Sequence, residues 1–361
     1  MESLESPFRG LTWVDELFGL QPRWSLEPDI EAIKQTVQYL RPSSTIEVTF
    51  LTQGSFNKIY EVKSDDEMLI MRIALPVDPV HRTISEVATL DWIQRTTTIP
   101  VPKVITYESS WGNPIGFEWI LMNKIPGKQF GDIFRTLSFA TKESIVKELA
   151  AYSVDLYRNQ LRGIGNIHDV LAIPDVGRIV AMRFFWGENV RRVINRGQFA
   201  SSKDWLASGD QDNDEHKENH DNKDEKRDKN EDDGAEEASK TLEMIEKLRL
   251  ILPSVFPDTC EHPEPSMIFH DDLSVVNFLV NDNGRIAGVL DWDFVSALPL
   301  WKACDFPNFL KEQPLPLKPD IGSYFIEDEG EVCEMYWEDL WYHEATLLRD
   351  IFLDEMRKLE P

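Results

Sequence analysis

Three cysteines in 361 residues, Cys260, Cys304 and Cys333, are odd in number, far apart and without a CxxC spacing. That argues against a disulfide framework or a zinc site and fits a reducing compartment. Positive charge is also scarce. Lys and Arg number 38 against 64 Asp and Glu, a formal net charge of −26, and no basic stripe exists to hold nucleic acid. No apolar run approaches the length of a membrane span. The opening residues, MESLESPFRGLTWVDELFGL, lack the basic-then-apolar order of a signal peptide and make no convincing transit peptide. These absences predict a soluble cytoplasmic protein with neither nucleic acid nor membrane as partner.

Apolar material is plentiful: 42% of residues are hydrophobic and 11% aromatic, enough for a large core in two lobes. Residues 1–46 are expected to form a helical extension. From Glu47 to Gly127 the order reads strand, strand, strand, helix, strand, strand. The helix, RTISEVATLDWIQRT, carries Ile84, Val87, Leu90 and Ile93 at helical spacing. Residues 128–361 read as a larger, mainly helical lobe. One of its helices, TKESIVKELAAYSVDLYRNQL, has Thr141 as its expected N-cap and Glu143 paired with Lys147. Within this lobe Asp210–Glu237 holds fourteen acids, five bases and no large apolar residue. Such a tract buries too little surface to offset its ordering entropy, so a disordered insertion is expected at about 208–238.

The stretch SMIFHDDLSVVNFLV sets His270, Asp271, Asp272 and Asn277 between two apolar runs that read as buried strands. Asn281–Gly284, NDNG, is a hairpin turn, and folding that hairpin brings Asn277 toward Asp291 in GVLDWDF. An amide oxygen beside a carboxylate suits Mg²⁺, which takes few protein ligands and keeps water and phosphate as the rest. Asp272, one short loop away, is placed to orient a substrate hydroxyl and accept its proton. The parts match those of phosphoryl transfer.

HDDLSVVNFLV followed by GVLDWD resembles the motifs of the aminoglycoside phosphotransferase-like family, in its fungal phosphotransferase-enzyme form. GSFNKIYEV, MRIALPVDP, SEVATLDWI, PVPKVI, GFEWILMNKIPG and DWDFVSALPLWKACDFPNFL extend the likeness over roughly Glu47 to Leu310. The resemblance implies a protein kinase-like α+β fold, with a small β-rich nucleotide-binding lobe (47–127) and a larger helical lobe. It implies transfer of phosphate from ATP or GTP, with Mg²⁺, to a hydroxyl of a small molecule. Position by position, Asp272 resembles the catalytic Asp, and Asn277 and Asp291 the metal ligands. His270 resembles the brace of the catalytic loop. Gly54, Ser55, Phe56 and Asn57 match the turn that covers the nucleotide. Arg72 stands where many members have a phosphate-contacting Lys, and Glu86 matches its helix partner. Asn123 and Ile125 match the linker that holds adenine. Asp271 replaces a common Gly and is expected to face solvent or a partner, whereas Asp293 reads as a second metal contact or a surface acid. Two rival readings are a catalytically impaired binding or regulatory protein and a protein kinase. The second lacks Asp-Phe-Gly and Ala-Pro-Glu segments and room for an activation loop.

Overall fold

A computed structural model describes residues 3–17, 19–169, 176–208, 229–256, 263–326 and 330–359. The chain starts with a three-stranded antiparallel meander, β1 (Ser3–Glu5), β2 (Leu11–Glu16) and β3 (Gly19–Trp24). One helix follows, α1 (Ile30–Leu40), capped by the Asp29 side chain. The first 46 residues are therefore not the helical extension expected. The reason is a period of two: Leu11 and Trp13 point inward while Thr12 and Val14 lie nearer the surface. Gly19 then supplies the positive φ that turns β2 into β3.

The next elements follow the expected order. β4 (Ile46–Gln53), β5 (Asn57–Ser64), β6 (Glu67–Ala74), β7 (Val104–Glu108) and β8 (Trp119–Asn123) form one antiparallel sheet in the order β4-β5-β6-β8-β7. α2 (His81–Thr96) lies between β6 and β7 in sequence. It is buried nearly all round, not along one stripe, and its hidden residues include Arg82, Thr83, Ser85, Glu86 and Thr89. Polar side chains tolerate this only when paired. Thr83 donates to Glu118 at 2.5 Å, and Ser85 accepts from Asn166 at 2.9 Å.

The larger lobe begins with β9 (Lys128–Gln129), α3 (Phe130–Ile133), α4 (Phe139–Arg158), β10 (Leu161–Arg162) and α5 (Ser202–Ser208). The N-cap of α4 is Ser138, not Thr141; its Oγ accepts the Thr141 N–H at 3.2 Å. The expected Lys147–Glu143 pair is present at 2.6 Å. Of the expected acidic insertion, 209–228 lies outside the described residues, and from Lys229 the backbone is helical in α6 (Lys229–Val255). Then come β11 (Pro265–Phe269), β12 (Phe278–Val280), β13 (Ile286–Val289), β14 (Ser296–Pro299), α7 (Leu300–Ala303) and α8 (Glu334–Leu359).

Two small sheets, β10-β11-β14 and β13-β12-β9, frame the expected catalytic loop. Residues 270–277 link β11 to β12, and 290–295 link β13 to β14. The strands rest on a core that joins Ile145 and Leu149 of α4, Leu348 and Phe352 of α8, Ile268 and Phe278. The whole is a bilobal α+β architecture with a β-rich first lobe and a helical second one. Among the described residues no helix is long and apolar enough to cross a membrane.

Candidate active site

The NDNG turn closes as its residues demand. Gly284 adopts φ 72°, and its N–H returns to the Asn281 carbonyl at 2.9 Å. The ladder then pairs Phe278 with Val289, and the Leu290 N–H reaches the Asn277 carbonyl at 2.7 Å. Asn277 thus sits beside the strand end that carries Asp291. Asp291 itself takes φ 59°, a left-handed conformation that Asp tolerates better than most side chains.

Asp272 is exposed on the loop, yet both of its carboxylate oxygens have partners. Asn277 Nδ2 donates to Oδ2 at 2.9 Å and to the Asp272 carbonyl at 2.8 Å. Asn308 Nδ2 lies 3.5 Å from Oδ1 and donates to the Asp271 carbonyl at 2.9 Å. With its NH₂ used this way, Asn277 keeps its amide oxygen for other work. His270 is buried behind the loop. Its Nε2–H donates to the Leu290 carbonyl at 2.9 Å, and Trp292 packs edge-on against the ring at 4.9 Å. Burial pushes the His270 pKa down, and the ring braces two loops through its bond to the Leu290 carbonyl.

Asp291 is exposed on the side of the cavity it lines, while its inner surroundings withhold water. That desolvation, reinforced by nearby Asp293, raises its pKa above the ordinary carboxylate range, and Arg72 opposes the rise. Asp293 is not a surface acid. It is 9% exposed and held by Arg82, whose Nε lies 2.9 Å from Oδ2 and 3.1 Å from Oδ1. Despite burial, Arg82 and Arg72 hold Asp293 below its usual pKa. The same guanidinium donates to the carbonyls of Phe56 and Leu75 and to Asn57 Oδ1. Asn57 Nδ2 in turn approaches Asp293 at 3.3 Å. One Arg therefore fastens the GSFN turn to the DWD loop. Its neighbour in sequence to either side announces nothing, since its carboxylate partner lies 211 residues away.

In the upper lobe Arg72 of β6 and Glu86 of α2 form the expected pair, both buried. Burial pushes Glu86 up to about 8 against the pull of Arg72. The other terminal nitrogen of Arg72 makes no hydrogen bond and stands 3.4 Å from Asp293 Oδ2. A buried donor without an acceptor is where an anionic oxygen fits. The GSFN turn divides in two. Phe56 is buried against Phe294, at 5.0 Å between ring centres, and Asn57 is engaged with Arg82. Gly54 and Ser55 stay exposed, and the space beside Gly54 is open within 4 Å of where a Cβ would be. Asn123 caps β7 by accepting the Lys103 N–H at 2.5 Å. Ile125 lies over Gly288 so closely that a Cβ there would come within 2.4 Å of Ile125 Cδ1. The linker is thus seated on the β12–β13 hairpin.

Below Asp272 a cavity of about 270 Å³ extends into the second lobe. Asp271, Asp272, Asp291 and Asp293 share its wall with Arg183, Lys302 and apolar side chains that include Met182 and Leu298. Among the described residues no cluster of three or more His, Cys, Asp or Glu side chains is arranged to hold a metal. The donors present, the free amide oxygen of Asn277 and the Asp291 carboxylate, fit instead a hard cation that takes most of its shell from phosphate and water. Arg82, Asn308 and Gly288 went unassigned in the sequence. Each lay within a stretch already quoted, RTISEVATLDWIQRT, DWDFVSALPLWKACDFPNFL and GVLDWDF, but nothing local marked its partner.

The chain is similar to several known proteins. The sequence model of the phosphotransferase enzyme family matches residues 47–302. Clavilactone A biosynthesis cluster protein Y of Ampulloclitocybe clavipes is 25% identical over 356 residues, covering 91% of this chain and 83% of that one. A subtelomeric hrmA-associated cluster protein of Aspergillus fumigatus is 27% identical over 165 residues, 42% of this chain and 32% of its own length. The chain therefore spans about a third of that longer relative. Among solved structures, a putative aminoglycoside phosphotransferase from Ralstonia eutropha aligns at TM-score 0.48 with 13% identity, covering 92% of this chain and 81% of that one. Aminoglycoside phosphotransferase APH(4)-Ia aligns at 0.47 with 14% identity, covering 75% and 73%. The match over 47–302 takes in both lobes, the GSFN turn, the Arg72–Glu86 pair and the paired loops at Asp272 and Asp291, and by it the chain belongs to the phosphotransferase enzyme family.

Proposed function

We propose that this protein transfers the γ-phosphoryl group of ATP or GTP to a hydroxyl group of a small molecule. The carrying observation is the Asp272 carboxylate, oriented by Asn277 and Asn308 on the wall of a cavity that also reaches Asp291. In this reading residues 47–127 hold the nucleotide. The Arg72 nitrogen that makes no hydrogen bond, and stands 3.4 Å from Asp293, meets phosphate oxygens, with Glu86 fixing the guanidinium. The exposed turn at Gly54 and Ser55 covers the phosphates, with the Ser55 N–H as donor because the Gly54 N–H already meets the Asn57 carbonyl at 2.9 Å, and the linker at Asn123 and Ile125 borders the base.

The acceptor hydroxyl donates its hydrogen bond to Asp272. As the acceptor oxygen bonds to the γ-phosphorus, the bond from that phosphorus to the β–γ bridging oxygen breaks. The nucleoside diphosphate leaves with that electron pair, and the hydroxyl proton passes to Asp272. Asn277 and Asp291 would hold Mg²⁺, which when bound neutralises charge on the phosphate oxygens. His270 takes no proton in this scheme; it keeps the two loops in register.

Thermal unfolding with and without Mg-ATP and Mg-GTP tests the reading. Nucleotide at a hundredfold excess over its Kd adds about 2.7 kcal/mol of stability. The shift is expected to need magnesium, to vanish in Asp291→Ala and to persist in Asp272→Ala, which abolishes turnover. Silence with both nucleotides would instead favour a kinase-like binding protein without catalysis.

A further inference from the structure

Two cations on the wall of the cavity below Asp272 take no part in the scheme above. Arg183 and Lys302 both line it, and neither makes an ion pair or a side-chain hydrogen bond among the described residues. They rest on rings instead. The Arg183 guanidinium lies 5.1 Å from the ring centre of Phe184 and 5.9 Å from that of Trp205, and Lys302 Nζ lies 5.3 Å from that of Phe269. Aromatic faces attract a cation without filling its N–H donors.

The acids nearby do not fill them either. Asp293 is taken by Arg82 and Asn57, Asp272 is held by two amides, and Asp291 lies across the hairpin end with Asn277. Asp271 attracts Arg183 through space but forms no close pair with it. Arg183 is exposed at its surface, and the groups packed on its inner side draw its pKa down, with Asp271 opposing. A charge in that state is stabilised by any anion that reaches it. The remaining wall, His270 and Ser296 apart, is apolar, with Met182, Ile179 and Leu298 among it.

We propose, on the strength of the phosphotransferase reading, that the acceptor is a small anionic alcohol. Its hydroxyl meets Asp272, its carboxylate or phosphate meets Arg183 and Lys302, and its carbon skeleton lies along Met182 and Leu298. The transfer step is unchanged: the alcohol oxygen gains the phosphoryl group, its proton goes to Asp272, and nucleoside diphosphate departs. A polycationic acceptor would leave the N–H donors of Arg183 and Lys302 without an anionic partner.

Matched pairs test this. The probes are 3-phenyllactate and mandelate beside their methyl esters, glycerol 3-phosphate beside glycerol, and kanamycin as the cationic comparison. Binding to the full chain is measured by ligand-observed NMR with Mg-ADP present, and nucleoside diphosphate release is measured from Mg-ATP. At least one acid should bind tenfold or more tightly than its neutral partner. Arg183→Gln and Lys302→Gln should each remove that preference and leave the Mg-ADP thermal shift at its wild-type value. Equal binding within every pair, no acid binding at all, or preference for kanamycin overturns the proposal. If acids bind through Arg183 while wild-type protein shows no Mg-nucleotide shift, the anion site stands and the phosphotransferase reading falls.

Discussion

An exposed carboxylate normally turns freely, and Asp272 is exposed. Here two amides from different parts of the chain limit it, Asn277 five residues on and Asn308 thirty-six residues on. Asn308 touches no expected nucleotide group, so its loss should misplace Asp272 without disturbing the upper lobe. Displacing a reacting group by about 1 Å costs on the order of 10²-fold in rate. Asn308→Ala should therefore lower kcat by about that factor and leave the nucleotide thermal shift intact. Steady-state kinetics beside the unfolding assay check it, and an unchanged kcat would show that Asn277 suffices. Asn308→Asp should be worse than Ala, because a second carboxylate would face Asp272 and raise its pKa.

Among the elements, the segment 163–167 shows how tightly the cavity wall is hung. Gly165 exchanges both backbone hydrogen bonds with Ala297 of β14, at 3.1 and 2.7 Å. A Cβ on Gly165 would stand 1.9 Å from the Gly177 carbonyl oxygen. Neither backbone can yield without dragging Ile179 and Ala181, which line the cavity. Gly165→Ala should cost about 1–3 kcal/mol, read from the urea midpoint, and widen the cavity. A midpoint equal to wild type would mean that the strand pairing adjusts at no cost. Such constraints separate what was legible in the sequence from what was not. The run from β4 to β8 was readable because alternation, turn residues and one helical period are local signals. The hairpin that joins Asn277 to Asp291 was readable because NDNG specifies its own turn. The spacing of Ile84, Val87, Leu90 and Ile93 located α2 but not its burial on every side, because the burial of Arg82 and Ser85 depends on Asp293 and Asn166, far along the chain. The meander was missed because its period of two covers only two inward side chains on β2 before the turn at Gly19.

At the scale of the molecule, Arg82 is the rivet between lobes. It joins α2 and the GSFN turn of the first lobe to Asp293 of the second, and it is 1% exposed. Removing one partner of a buried ion pair costs about 3–5 kcal/mol, because the other charge is left stranded. Arg82→Ala should lose stability of that order in urea unfolding, and Asp293→Ala a comparable amount. The double variant should recover only part of the loss, since the Phe56 and Leu75 carbonyls still lack a donor. Full recovery would mean those carbonyls find water. The meander makes a longer bridge. Leu11, Trp13 and Leu20 pack in one cluster with Phe56 and Leu75 of the first lobe and with Phe184, Phe185 and Phe199 of the second. The last of these partners are made more than 160 residues after Leu11 and Leu20. At roughly 5–20 residues per second, synthesis leaves the two strands without the second-lobe part of their core for about 10–40 s. For that interval a newborn chain carries Leu11, Trp13 and Leu20 in a hairpin with open edges, which makes this segment the natural place for a chaperone to hold it.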